Sequence, residues 1–367
     1  MCKNIKIMKL KEIYKKEPFH IMDCTLRDGS YAINFNFTKQ DTLLISKHLD
    51  NLNIPYIEVG HGIGLGASEK GYGKSASTSK DYILAGREGI KKGKLGVFCI
   101  PGIAKLEQLK EAIDCGIDFV RIGVDVNNYE IAEEFVNLAK KKSVMIAVNF
   151  LKSYAYPIDI FLTASDAVEK MGADLVYIVD SAGGMLSDEL EVLIDEYKLK
   201  CSLPFGFHGH NNLGLVNSNV IMALKKGAKI VDTSLQGFGR SSGNASTEHI
   251  VMILMRLGID LEIDILMLLE KSDMLMKKFI NSNNSRKFDS LDAILGFSQF
   301  HSSYTSKIID VAKNFSIDPK LLILEYCLIN KIDVKDDELN ILAKQISKKK
   351  INKSLNYEFK NYFGNEQ

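Results

Sequence analysis

Neither sign of charge is in excess in this chain: 47 Lys and Arg stand against 46 Asp and Glu over 367 residues, a net charge of +1. That balance offers no footprint for nucleic acid or an anionic membrane, and neither is expected as a partner. Long apolar runs are also missing. No segment approaches the roughly 18 apolar residues of a membrane span, and the Lys-rich stretch from Met1 to Phe19 lacks the continuous apolar core of a secretory signal. Cysteine is sparse and scattered, at Cys2, Cys24, Cys99, Cys115, Cys201 and Cys327, with no C-x-x-C pair. A disulfide framework is thereby excluded, and reduced thiols in a cytoplasmic protein are the expectation. Chemistry on small molecules is the class left open.

What is present is a repeating pattern. Short runs rich in Val, Ile and Phe alternate with stretches of helical periodicity, near His20–Thr25, Ile54–Val59, Leu95–Ile100, Phe119–Val124, Met145–Phe150, Leu175–Val179, Pro204–His208 and Ile230–Ser234. Eight βα units predict an α/β fold, a (β/α)8 TIM barrel; an open doubly wound sheet is the alternative. Thr38 reads as a helix cap, and Ser187 as another with Asp188 and Glu189 in the first turn behind it. Beyond Asp264 the strand signals stop, and helical stretches follow at Leu266–Phe279, Leu291–Lys307, Pro319–Ile329 and Glu338–Ile346. The organisation expected is an N-terminal extension over residues 1–19, a barrel over 20–263, a helical C-terminal domain over 264–347 and a polar tail over 348–367. Asn281–Asn284 reads as a loop.

A barrel of this kind builds its active site at the C-terminal ends of its strands. Polar residues cluster there: Arg27 and Asp28 after the first run, Glu58 and His61 after the second, Arg121 and Asp125 on the fourth, Asn149 on the fifth, Asp180 and Ser181 after the sixth, His208 and His210 on the seventh. Two residues apart on an extended segment, His208 and His210 face the same side. With Asp28 they offer two imidazoles and a carboxylate, a set that suits Mn²⁺, with Mg²⁺, Co²⁺ or Fe²⁺ as alternatives, and leaves positions open for substrate. Arg27 carries the fork of donors that suits a carboxylate or a developing oxyanion; an ion pair with Glu58 or Asp180 is its plainer use. The Gly-rich stretch from His61 to Gly73 lacks the Lys-Ser/Thr ending of a phosphate loop and reads as a mobile loop over the mouth. Gly237, Gly239 and Gly243 fit either a substrate phosphate or tight turns.

In order along the chain, D-C-T-L-R-D-G-S at 23–30, E-V-G-H-G-I-G-L at 58–65, P-G-I at 101–103, D-S-A-G-G-M at 180–185, H-G-H-N-N-L at 208–213 and G-N-A at 243–245 resemble the 4-hydroxy-2-oxovalerate aldolases. These are pyruvate-forming class II aldolases of a metal-dependent superfamily that includes hydroxymethylglutaryl-CoA lyase and isopropylmalate synthase. The resemblance implies Mn²⁺ on Asp28, His208 and His210, and a substrate chelating it between Arg27, Ser181 and His208. It also implies that Arg27 stabilises the pyruvate enolate formed as the C3–C4 bond breaks. An acylating aldehyde dehydrogenase docked on the C-terminal helices, and assembly as a homo-oligomer, are further expectations.

Two positions depart from the family. Its catalytic base is a His directly after R-D-G-S, where this chain has Tyr31; where it has Tyr before Ser-Ser, this chain has His301 before Ser302 and Ser303. An imidazole near pKa ~6.5 accepts a proton at neutral pH far more readily than a phenol near ~10. The expectation is an exchange of roles, with His301 as the base and Tyr31 as its hydrogen-bonding partner. Against it stands a barrel whose activity has moved to another aldehyde or been lost, with His301 serving only helix packing. Three other readings stay open: a Claisen-type acyl-CoA/2-oxo acid synthase, a Schiff-base aldolase using Lys152, and a catalytically silent barrel acting in an assembly.

Overall fold

The computed structural model describes residues 18–279 and 290–348. The first 17 residues, the Asn281–Asn284 loop and the tail beyond 348 lie outside them. Eight parallel strands, β1 (His20–Asp23), β2 (Tyr56–Glu58), β3 (Lys94–Cys99), β4 (Phe119–Asp125), β5 (Met145–Leu151), β6 (Leu175–Asp180), β7 (Phe205–Gly209) and β8 (Ile230–Thr233), each pair with the next. The sheet closes where His20 pairs with Ile230 and Asp23 with Thr233, so the fold is a TIM barrel and not an open sheet.

Helices fill each return: α1 (Lys39–Asn51), α2 (Ser79–Gly89), α3 (Leu106–Asp114), α4 (Glu133–Lys141), α5 (Ile158–Met171), α6 (Ser187–Lys200), α7 (Val216–Lys225) and α8 (Thr247–Arg256). Thr38 caps α1 as expected, its hydroxyl accepting from the Asp41 amide. Ser187 is not a cap. It is the first residue of α6, where Glu189 reaches back to the Leu186 amide at 2.9 Å and leaves the Ser187 hydroxyl to bond Asn219.

Alternation along the strands separates two environments. Ile57, Val97, Val120, Ile122, Val148 and Ile178 face the helices, whereas Met22, Phe119, Ala147, Leu175, Tyr177 and Ile230 pack together as a separate cluster inside the barrel. Two steps further along the same inward faces stand Glu58, Arg121 and Asp232, buried and charged.

Past the barrel come α9 (Ile265–Met276), α10 (Ser290–Phe297), α11 (Thr305–Asn314), α12 (Pro319–Tyr326) and α13 (Asp336–Lys348). Helix α9 buries Leu268, Leu275 and Met276 in the barrel's outer core, while a second core gathers Leu291, Leu295, Phe300, Ile308, Leu322, Tyr326 and Leu339. The single helical stretch expected over Leu291–Lys307 is broken. Gln299 takes a left-handed conformation (φ +51°), and the Phe300 and Gln299 amides bond back to Leu295 and Gly296, a Schellman close that ends α10. Its accompanying apolar pair, Phe300 with Leu295, sits in the second core. Residues 298–304 are therefore a turn that faces the barrel mouth. Among the described residues, no helix is long and apolar enough to cross a membrane.

Candidate active site

Four of the expected residues are set by short local structure at the strand ends. After β1 a turn leads into a 3-10 helix over Asp28–Ile33. At about three residues per turn, Asp28 and Tyr31 stack on one side, and both line the same cavity. His208 lies on β7 and His210 just beyond it, their rings 5.0 Å apart and nearly perpendicular. Asp28, His208 and His210 are buried, and their ligand atoms lie within 4.8 Å of one another.

Asp28 is densely held. Its Oδ1 accepts from Arg27 Nη1 at 2.7 Å, and its Oδ2 from Asn244 Nδ2 at 2.8 Å and the Arg240 amide at 3.3 Å. Burial alone would raise its pKa, but Arg27, His210, His208 and Arg240 outweigh that and hold the carboxyl well below the usual range. His208 donates from Nδ1 to Asp232 at 2.8 Å, which leaves Nε2 for the cluster. Such a carboxylate fixes the tautomer and raises ligand basicity. Burial, helped by Arg240, holds His210 far below the ordinary imidazole range, so its ring is neutral with a lone pair to give.

The residues fit a cation. His210 Nδ1 is buried with no hydrogen-bond partner, and so is Asn244 Oδ1, whose amide nitrogen already bonds Asp28. An orphaned buried acceptor costs about 1–3 kcal/mol, and a metal between these atoms would satisfy both. Asp28, His208 and His210 would hold it, with Asn244 as a further oxygen.

Below the cluster runs a chain of buried charge. Arg27 Nε donates to Glu58 at 2.7 Å, Arg121 Nε donates to the other oxygen of Glu58 at 2.8 Å, and Arg121 also donates to Asp232, the partner of His208. Glu58 and Asp232 are both held below the ordinary carboxylate range: burial opposes the shift, and Arg121 together with Arg27, and for Asp232 also His208, outweighs it. The ion pair of Arg27 with Glu58 is thus present, and it does not use every donor of the guanidinium. Arg27 Nη2 makes no bond to the described residues and borders the cavity.

The cavity, about 470 Å³, is lined on its polar side by Arg27, Asn149, Lys152, Ser181, Arg240 and His301, and on its apolar side by Phe98, Ile100, Ile103, Leu151 and Val179. Not every polar strand-end residue reaches it. His61 pins the Gly-rich stretch, through Nε2 to the Gly73 carbonyl at 3.1 Å, and Asp180 holds the amides of Gly184 and Met185. Burial pushes the Asp180 carboxyl up to about 6 against those bonds. Gly62, Ile63 and Tyr72 of the Gly-rich stretch do border the cavity. The Tyr31 ring packs so closely on Gly62 that an added Cβ would lie 2.6 Å from it. Gly237 and Gly243 take positive φ in tight turns around Asn244.

His301 is half-buried in the turn before α11 and also faces the cavity, beside Ser303. Its Nδ1 lies 3.1 Å from the Ser303 amide and 2.7 Å from the Ser303 hydroxyl. An amide can only donate, so the resting neutral ring holds its proton on Nε2; the other tautomer places Nδ1–H on the hydroxyl. Burial, with Arg240 and Lys152 adding to it, holds His301 well below the ordinary imidazole range. Sequence reasoning missed Asp232, Asn244 and Arg240. The last bonds the Ser302 hydroxyl and, at 2.8 Å, the Ser181 carbonyl, and so joins the barrel to the 298–304 turn.

The HMGL-like family model matches residues 18–275. The 4-hydroxy-2-oxovalerate aldolase of Geobacillus genomosp. 3 is 32% identical over 335 residues, 91% of this chain and 99% of that protein, and the aldolase of the same name from Moorella thermoacetica is 31% identical over 90% and 97%. Among solved structures, the N-terminal domain of a putative aldolase from Bacteroides vulgatus superposes with a TM-score of 0.67 at 23% identity, over 81% of this chain and 98% of that one. The carboxyl transferase domain of Rhizobium etli pyruvate carboxylase gives 0.73 at 15% identity, over 92% and 63%. At such identities the structures speak for the fold alone, whereas the sequence relatives cover nearly the whole chain: it belongs to the HMGL-like family, in the branch of the 4-hydroxy-2-oxovalerate aldolases.

Proposed function

We propose that the protein is a divalent-metal-dependent aldolase, a carbon–carbon lyase that cleaves a 4-hydroxy-2-oxo acid to pyruvate and an aldehyde or runs the reverse condensation. The observation that carries this reading is the buried cluster of Asp28, His208 and His210 on the floor of a cavity, with an orphaned His210 nitrogen and the free edge of Arg27 beside it. When bound, a divalent cation, for which Mn²⁺ fits two imidazoles and a carboxylate, supplies polarisation of the substrate's 2-oxo group. Arg27 Nη2 donates to the oxygen on which enolate charge develops, and its pairing with Glu58 keeps the guanidinium from turning away. Ser181 and His208 border the same substrate space.

In this reading His301 is the base and Tyr31 its partner at the C4 hydroxyl. As base the ring takes its other tautomer, giving Nδ1–H to the Ser303 hydroxyl and releasing the Ser303 amide, so that Nε2 carries the lone pair that takes the hydroxyl proton as the C3–C4 bond breaks, and returns it in condensation. The aldehyde then passes to an acylating aldehyde dehydrogenase in the cytoplasm, and the chain assembles with copies of itself; exposed Leu266, Met267 and Met274 on α9 supply apolar surface for such contacts.

The test is an assay of the metal-stripped protein, resupplied with Mn²⁺, on pyruvate and a panel of aldehydes read by mass spectrometry, together with exchange of the pyruvate methyl protons in D₂O. Exchange that is lost on chelation and restored by Mn²⁺, with a 4-hydroxy-2-oxo acid as product, is expected. No exchange with Mn²⁺ present refutes the reading; trapping of pyruvate on Lys152 by borohydride would replace it with imine chemistry, and an acyl-CoA-dependent product with Claisen chemistry.

A further inference from the structure

We propose that the aldehyde partner carries an anionic group, a carboxylate or a phosphate, and that Lys152 is the residue that selects it. The inference rests on the aldolase reading above and names the substrate class of that same site.

Lys152 follows β5 in a left-handed conformation (φ +55°), unusual for a residue with a side chain. Its side chain is only 13% exposed and lines the cavity. Nζ donates to the Ile332 carbonyl at 2.6 Å and lies 3.7 Å from Asp125 and 5.7 Å from the centre of the Tyr304 ring. An ammonium has three donors. One is used on Ile332, and Asp125 pairs with the ammonium through Oδ2 while its Oδ1 accepts from the Tyr156 hydroxyl, so a donor is left for a ligand in the cavity. Burial lowers the Lys152 pKa, and Asp125 and Asp333 offset it only in part. The ammonium is thus desolvated beside one long ion pair, with donors to spare.

Its position matches the aldehyde end of the substrate. The Lys152 amide donates to the Ser181 hydroxyl at 3.1 Å, and the Lys152 charge is close enough to His301 to help hold that ring neutral. If His301 handles the C4 oxygen, the carbons beyond C4 extend alongside Lys152. The neighbouring wall of Ile100, Ile103, Leu151 and Val179 has no charge to offer. An alkyl aldehyde would cover the ammonium and exclude water without replacing it, whereas an anion would pair with it. A lysine that only tied β5 to the segment around Ile332 would leave aldehyde choice untouched.

The experiment compares matched aldehydes with the full-length Mn²⁺ protein: butanal against succinic semialdehyde, and glycolaldehyde against glycolaldehyde phosphate. We expect the wild type to favour at least one anionic member by about tenfold or more in kcat/KM, mostly through KM, and the better pair tells carboxylate from phosphate. Lys152→Met should collapse that ratio, Lys152→Gln, which keeps a donor for Ile332, should collapse it as well, and Lys152→Arg should retain it. Pyruvate proton exchange without aldehyde is read on every variant. Exchange with no anionic preference in the wild type, or a ratio equal in wild type and Lys152→Gln, overturns the inference alone; no exchange in the wild type overturns the aldolase reading and this inference with it.

Discussion

Around His208 and Asp28 the charged groups are joined at 2.7–2.8 Å through Arg27, Glu58, Arg121 and Asp232, on strands or just after them, with Asn244 reaching in from the loop after β8. Across the cavity, Lys152 and His301 stand on a left-handed strand end and on a turn between two helices of the C-terminal region. One side is preorganised by interlocked charge that cannot shift singly. The other is carried by backbone outside the strands, tied to the barrel through Ser181 and Arg240. A fold divided in this way can keep its enolate chemistry while the electrophile changes, because the two are held by separate parts of the chain.

That contrast can be broken by experiment. The largest effect belongs to Arg27: Arg27→Met should lower both pyruvate proton exchange and aldol cleavage by about 10²–10³-fold, since one donor to a developing oxyanion is lost from both. Cleavage falling alone would place Arg27 on the aldehyde side. His301→Ala should cost cleavage about 10²-fold more than it costs exchange. Equal losses would mean that His301 supports the metal cluster instead, and intact cleavage together with its abolition in Tyr31→Phe would return the base to position 31. Asp232→Asn should weaken Mn²⁺ binding by about tenfold or more, read by calorimetry, through loss of the carboxylate that fixes His208. Gly62→Ala should act through Tyr31, whose ring occupies the space of the added methyl, and slow cleavage more than exchange.

The smallest effect concerns pH and stability at the barrel's closing strand. Burial pushes the Asp23 carboxyl up to about 7, against the Thr25 bonds that favour its charged form. A folded pKa above the unfolded ~3.9 means the folded state holds the proton more tightly, so this contribution is fully present below pH ~4 and is lost as pH rises to about 7. Urea unfolding of wild type and Asp23→Asn across that range should show the wild type losing stability relative to the variant as pH rises. A flat difference would mean that the Thr25 and Thr247 bonds offset the burial.

The barrel was legible because its strands are short runs of β-branched and aromatic residues that end at polar groups, and Asp28, His208 and His210 were legible because motif and strand end coincide. Asp232 also left a signal. It is a lone acid in Ile230–Thr233, and alternation places it inward with Ile230, two residues on. Arg240 left none, since a Gly/Ser-rich turn fixes no side-chain direction locally. The break at Gln299 was hidden because apolar residues continue through Leu295, Phe297 and Phe300 at helical spacing, and only the second core decides that Phe300 turns back.

The apolar cluster of Met22, Phe119 and Tyr177 inside the barrel has a kinetic consequence. With the lower barrel filled by side chains, the reaction proposed above would set the ketoacid half of the substrate deepest, against Asp28, His208 and His210, and the aldehyde half between it and the mouth. Departure would then be sequential, with the aldehyde leaving first and pyruvate last. In steady-state cleavage, pyruvate should inhibit competitively against the 4-hydroxy-2-oxo acid and the aldehyde non-competitively.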